Sequence, residues 1–219
     1  AVTLLDSNNK YCDIRCAEEC DRCLPENIHN VSKEVLDTAL WREKWKAFLE
    51  SCDVIECFSE STKDIVKRIY PFEEKLKVIP HTVSEIATVE KSSKTTETLN
   101  IGVIGAIGMP KGFEVLEKLT EYISSSGRKA RIIQFGIICK DIKDPAFESL
   151  GRYERDELPE LIEKHDVDMI FIPSIWPETF SYTTSEAIYM GLPLAVFDIG
   201  APPERVRNYD KGLVLALDT

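Results

Sequence analysis

The chain reads as an α/β protein, a doubly wound parallel sheet preceded by part of a second unit of the same kind. Three observations predict this. Short apolar runs without polar alternation recur, as in LNIGVIG (Leu99–Gly105), ARIIQFG (Ala130–Gly136) and LAVF (Leu194–Phe197). Such runs suit strands buried on both faces. Stretches with helical spacing separate them, closed by glycine or proline. From Leu99 onward the order strand, loop, helix, strand repeats.

Residues 1–30 form a cysteine-rich segment. Cys12, Cys16, Cys20 and Cys23 fall within twelve residues, a density found in metal sites. Cys20-x-x-Cys23 is the usual zinc half-site, and Cys12-x3-Cys16 is a looser pair. A structural zinc would replace the missing core of so small a segment. Four reduced thiols in a loosely ordered terminus fit the same spacing, which leaves both readings open. Cys52, Cys57 and Cys139 lie in or beside apolar segments and read as buried thiols.

Residues 31–85 read as helix, strand, helix, strand. In Ser32–Leu49 the residues Val35, Leu36, Ala39, Leu40, Trp45, Phe48 and Leu49 recur at helical spacing, with Ser32 as the N-cap. An aromatic stripe of this kind is expected to face a core. CDVIECF (Cys52–Phe58) is a strand, Thr62–Tyr70 a helix ended by Pro71, and LKVIP (Leu76–Pro80) the next strand. His81 stands where the chain leaves this unit, and a packing role there is expected over ligand contact. His29 and His165 read as surface residues. Residues 86–98, ending in KSSKTTET, read as a linker.

Residues 99–219 make the doubly wound unit. Its helices are expected at Lys111–Ser125, Asp156–Lys164 and Ser181–Met190, with another opening at Pro202-Pro203-Glu204-Arg205. A short strand and loop cover Glu148–Tyr153, and Gly212–Leu217 is a last strand. Gly102, Gly105 and Gly108 lack the spacing of a dinucleotide fingerprint.

The stretch Ile170–Arg205 carries the chemistry. The apolar run Met169–Ile172 stops at Pro173, a loop follows, and then the helix from Ser181. A helix N-terminus at a strand's end gathers unpaired N–H groups and positive potential, so a phosphate is welcome there. Glu186, about one turn or roughly 5 Å inside the helix, can accept hydrogen bonds from a ribose diol. Glu178 in the loop can take sugar hydroxyls. Spacing alone favours a plainer reading, in which Thr183-x-x-Glu186 is a capping box and Glu178 a solvated loop charge.

Glu178, seven residues and Glu186, set in PETFSYTTSEAIYMGLPLAVFDIGAPPER, resemble the paired-glutamate motif of retaining glycosyltransferases of family four. The likeness runs from about Cys52 to the end of the chain and is nearest to bacterial enzymes of O-antigen and cell-surface polysaccharide synthesis. Trp41-Arg42, the Ser59-Glu60-Ser61 turn and the VIPH ending at His81 agree with it. The resemblance implies a GT-B fold of two Rossmann-like domains, the C-terminal one binding a nucleotide-diphosphate sugar. It implies transfer to a glycan or lipid-linked glycan acceptor, with no metal needed at the diphosphate. It points to Glu178 and Lys111 as catalytic. It places Gly105, Lys111, Gly136, Tyr153, Glu178, Thr179, Phe180, Ser181, Tyr182 and Glu186 around the donor. The family usually shows an arginine after the first glycine of this loop, where this chain has Ala106. Lys111 is then the expected diphosphate clamp.

The cysteine-rich insertion of related enzymes is structural, so any zinc here is expected to be structural. The chain is expected to be a fragment cut at both ends, able to bind donor without turnover. A GT-B sugar-nucleotide epimerase needs further acid/base groups in the cleft, which the sequence does not offer. A non-catalytic half that binds or scaffolds a sugar nucleotide, and an interaction module built on the four cysteines, stay open beside the enzyme.

A net charge of -11 argues against a nucleic-acid partner. It also requires local groups to hold an anionic donor, which screening beyond about 8 Å allows. No apolar run is long enough for a membrane span or a signal peptide. A cytoplasmic location is expected, peripheral to the inner membrane face in the whole protein.

Overall fold

The computed structural model describes residues 4–28, 30, 37–90 and 97–217. His29, Val35, Leu36, the proposed cap Ser32 and most of the KSSKTTET stretch lie outside the described residues.

Six parallel strands form the main sheet: β3 (Leu99–Ile104), β4 (Ala130–Phe135), β5 (Phe147–Ser149), β6 (Met169–Ile172), β7 (Leu194–Phe197) and β8 (Gly212–Leu215). Their order is β5-β4-β3-β6-β7-β8. β3 pairs in parallel with both β4 and β6, the latter through Ile101↔Met169 and Gly102↔Ile170. The chain winds outward from β3 in one direction and from β6 in the other. Their junction is a topological switch point, the usual ligand crevice of such sheets.

Residue alternation along the strands sorts two cores. Ile104, Ile133, Phe135, Ile170, Ile172, Leu194 and Val196 face α5 (Leu158–Lys164), α6 (Tyr182–Tyr189) and α7 (Pro202–Val206). Ile101, Val103, Ile132, Phe171 and Ala195 face α4 (Phe113–Ser126). Each fully buried side chain, such as Leu116 or Ile162, contributes about 1.5–3 kcal/mol relative to exposure. His165, read from sequence as a surface residue, packs edge-on to buried Phe135 at 6.0 Å. It follows α5 directly and turns back over the core.

The smaller unit has β1 (Ile55–Cys57) paired in parallel with β2 (Leu76–Val78) through α3 (Glu60–Lys67). α3 starts two residues before the sequence expectation. Ser59 is extended, and its Oγ accepts from Thr62 N at 3.1 Å, a regular N-cap. Beyond β2, Ile86 and Val89 pack on the larger unit's core, and Val89 N bonds Met190 O at 3.0 Å.

α2 (Thr38–Glu50) is capped by Asp37, whose Oδ1 accepts from Leu40 N at 2.8 Å. Its aromatic stripe does not face a core as expected: Leu40, Trp45 and Phe48 are exposed, Phe48 by 57%. The rings pack along the helix on one another instead, Trp41 to Trp45 at 5.9 Å and Trp45 to Phe48 at 5.6 Å. Cys57 is buried as expected, whereas Cys52 is half-buried and Cys139 is exposed. Cys139 lies past the end of β4, its N bonded to Ile107 O at 2.9 Å.

The structural zinc expected at the four N-terminal cysteines finds no support among the described residues. Among the described residues no group of three or more His, Cys, Asp or Glu is placed to hold a metal ion. Three of the thiols lie on α1 (Ala17–Cys23) or at its N-cap, Cys16. Cys16 is exposed and bonds Glu19 Oε2, Cys20 is buried, and Cys23 Sγ accepts from Asn27 Nδ2. The segment is held by other means. Arg68 of α3's C-cap grips Asp13 with both Nη atoms, at 2.6 and 2.8 Å, and Tyr11 Oη bonds Asp13 Oδ1 at 2.9 Å.

The bond from Arg68 holds the Asp13 carboxyl down at about 2, below its ordinary 3.8. A depressed carboxyl stabilises above its unfolded value and loses that contribution as pH falls through its folded one. Amide protection of residues 4–24 should therefore be full at pH 5 and decline between about pH 4 and 2. Arg68→Ala should remove this pH dependence; protection unchanged by pH in the wild type would refute the tether.

Candidate functional site

Two loops meet at the switch point. The first leaves β3 at Gly105 and runs to Gly112; the second leaves β6 at Pro173 and runs to Ser181. Turn bonds fold the first loop: Lys111 N to Gly108 O at 3.0 Å and Gly112 N to Met109 O at 3.1 Å. Gly112 is the N-cap of α4 at φ 86°, so the helix opens at Phe113 and not at Lys111 as the sequence suggested. Lys111 thereby stays on the loop, free of the unfavourable helix start. The second loop locks onto the first through Ile175 N to Pro110 O at 3.1 Å.

This meeting sets the central contact: Lys111 Nζ lies 2.7 Å from Glu178 Oε2. Glu178 is only 6% exposed, while the lysine side chain is 42% exposed and reaches solvent. The pair presents a cation at the opening and an acid behind it. The solvated-charge reading of Glu178 does not survive this burial.

α6 begins at Tyr182, and its cap Ser181 makes no side-chain cap bond to the helix. The first-turn N–H groups remain available, as at any uncapped helix start. Ser181 holds φ 68°, ψ 90°, a strained bend for a non-glycine residue. Arg205 of α7 holds it there. Its guanidinium bonds Phe180 O, Ser181 O and Ser185 Oγ and lies 4.4 Å from the Phe180 ring centroid. Burial lowers the Arg205 pKa from its ordinary value, and the charges of Glu204 and Glu178 oppose that.

Glu186 is the fifth residue of α6 and 7% exposed. It does not close a capping box with Thr183. Its Oε1 accepts from Arg155 Nε at 2.8 Å instead. Tyr153 stands near the same pair, and burial, followed by the Glu186 charge, pushes its phenol up to about 12. It is therefore a protonated donor at neutral pH.

Bare main chain lies between these groups. Gly136 follows β4 at φ 128°, and a Cβ there would fall 2.3 Å from Gly105 O. Buried Gln134 fixes this floor, its Nε2 donating to Gly105 O at 2.9 Å and to Ile137 O at 3.2 Å, while Ser149 Oγ donates to its Oε1. Gly105 lies against Thr183 of α6. Local contacts thus join Lys111 to Glu178, Glu186 to Arg155, and Gly105 to Gly136 and Thr183.

Three expected residues have other surroundings. Phe180 is buried beneath Arg205 and shapes the loop. Tyr182 stacks on His81 at 5.4 Å, and His81 also contacts Phe58 at 3.8 Å and Phe180 at 5.1 Å. His81 is thus a packing residue between the two units. Thr179 is exposed, and its carbonyl accepts from Thr62 Oγ1 at 3.5 Å. Sequence reasoning missed Arg155, Arg205 and Gln134. Gln134 left one signal, a polar residue inside an apolar strand.

Residues 144–217, which carry both glutamates and the helix between them, match the family model "Glycosyl transferases group 1". This stretch is similar to the members of that family. The GT-B fold extends over more of the chain. Sucrose-phosphate synthase from Thermosynechococcus elongatus superposes with a TM-score of 0.66 at 14% identity, covering 90% of this chain and 53% of that one. Anabaena Alr3699/HepE in complex with UDP and glucose gives 0.60 at 14% identity, covering 82% and 53%. A glycosyltransferase from Rickettsia africae ESF-5 gives 0.59 at 16% identity, covering 82% and 53%. The chain spans about half the length of these structures. No curated protein matches it. Among the described residues, no helix is long and apolar enough to cross a membrane.

Proposed function

We propose that this chain is the donor-binding part of a retaining glycosyltransferase of cell-surface polysaccharide synthesis, moving a sugar from a nucleotide-diphosphate donor to a glycan or lipid-linked glycan. The Lys111–Glu178 contact at the switch point carries the reading. Cleaving the glycosidic bond loads negative charge onto the leaving diphosphate. Lys111 and the N-terminus of α6 meet that charge with fixed electrostatics, without reorganisation. Glu178 keeps Oε1 for hydroxyls of the donor sugar, and Glu186 takes the ribose. Each buried acid is matched by a cation, Lys111 or Arg155, so the crevice does not repel a dianion despite the chain's net charge of -11. The complex of Alr3699/HepE with UDP-glucose supports this class of donor.

A calorimetric screen of UDP, GDP and dTDP, alone and as their sugars, tests the reading. One of them should bind, and Glu186→Ala should weaken it by about 1–3 kcal/mol, or roughly 5- to 150-fold. Unchanged affinity with the fold intact would remove Glu186 from the site.

A further inference from the structure

We infer that Arg155 is a positioning residue that fixes the Glu186 carboxylate for a ribose diol, and so sets the preference for ribo- over 2′-deoxyribonucleotides. This rests on the reading of Glu186 as the ribose acid.

Arg155 is held at two points on different elements. Its Nε donates to Glu186 Oε1 at 2.8 Å, and its Nη2 donates to Ser84 O at 2.6 Å. Ser84 lies on the segment that crosses between the two units. The remaining acid near it, Asp156, is 97% exposed and stands 4.0 Å away, too loose to draw the guanidinium off. The planar guanidinium cannot rotate without losing one of its two bonds.

The consequence falls on Glu186. A carboxylate offers about four lone-pair sites on two oxygens. Arg155 takes one, on Oε1. Oε2 has no partner among the described residues. A buried carboxylate at 7% exposure would otherwise be free to turn about its last torsion, which is a broad one. Fixed by Arg155, it offers its open sites in one direction, suited to two adjacent hydroxyls. A 2′-deoxyribose supplies only one, leaving a buried acceptor site unmet. Sites built to hydrogen-bond a hydroxyl discriminate strongly against its absence.

The same arginine also ties residue 84 to the larger unit. A purely structural tether would affect thermal stability, and would weaken every nucleotide alike. The test separates these roles. Affinities of UDP and 2′-deoxy-UDP, or of GDP and 2′-deoxy-GDP if the protein prefers guanine, are measured calorimetrically. The proteins are the wild type, Arg155→Met, Arg155→Lys, Glu186→Gln and the Arg155→Met/Glu186→Gln double variant, each with its melting temperature.

The wild type should prefer the ribonucleotide by about tenfold or more. Arg155→Met should lose most of that preference, with the deoxynucleotide affinity changed less than about threefold. Arg155→Lys, which keeps the charge but not the fork, should recover part of it. The double variant should be no worse than Glu186→Gln, since both act through one carboxylate. Equal weakening of both nucleotides by Arg155→Met, or a preference it leaves intact, overturns the inference. If Glu186→Gln itself keeps the preference, or the wild type binds no nucleotide, the ribose reading fails and the inference with it.

Discussion

Lys111→Ala in the full protein should cut turnover by about 10²- to 10³-fold, the usual cost of losing one preorganised group that meets developing negative charge. Two losses combine. The leaving diphosphate loses its cation, and Glu178, 6% exposed, loses the ammonium 2.7 Å away. An unpaired buried carboxylate is costly, so the loop that carries Glu178 loses support as well. Lys111→Arg keeps the charge but alters its shape and should restore only part of the rate. Steady-state kinetics of the two variants read the loss and its partial recovery. A Lys111→Ala enzyme within threefold of wild type would take the lysine out of the chemistry.

Gly112→Ala should have the largest effect on the fold around the site. Gly112 sits at φ 86°, and a Cβ there would fall 2.0 Å from Pro173 O. Two costs arise, a left-handed backbone with a side chain and a collision with main chain that cannot step aside. Together they come to about 3 kcal/mol or more. The collision is with the carbonyl that opens the Glu178 loop. Relief by backbone shift would therefore pull Lys111 and Glu178 apart. The variant should show a lower melting temperature together with weakened nucleotide binding. A nearby control, Gly127→Ala at φ 65° with nothing within 4 Å of the new methyl, carries the conformational cost alone and should leave binding intact. Equal effects of the two substitutions would show that strain, not the close approach, governs position 112.

The parts of the molecule visible in the sequence are those encoded by local pattern. Unbroken apolar runs marked β3, β4, β6 and β7, because a strand covered on both faces has no reason to alternate. The Glu178–Glu186 spacing and the Lys111-Gly112 pair marked the two loops that meet at the switch point. What escaped depends on partners far apart in the chain. Arg155 meets Glu186 across 31 residues, and Arg205 reaches Ser185 across 20. No periodicity announces such pairings. The cysteines are a different case. Cys20-x-x-Cys23 has a zinc half-site's spacing, but spacing does not fix how far each thiol is covered: Cys16 is exposed and Cys20 is buried. The α2 stripe shows the limit of periodicity. It correctly predicted a helix, and it carried no information on what, if anything, lies against Trp45 and Phe48.

Glu204 has one more consequence, for anyone wishing to dissect the protein. Its carboxylate crosses from α7 to accept from Glu60 N and Ser61 N at 3.1 and 2.6 Å, supplying acceptors that α3 needs at its own beginning. Its neighbour Arg205 meanwhile clamps the Phe180–Ser181 bend. A truncation placed between residues 81 and 99 divides the polypeptide at a convenient point on paper. It also strips α3 of an acceptor lent from the far side, and leaves that bend braced by a helix that has lost its counterweight.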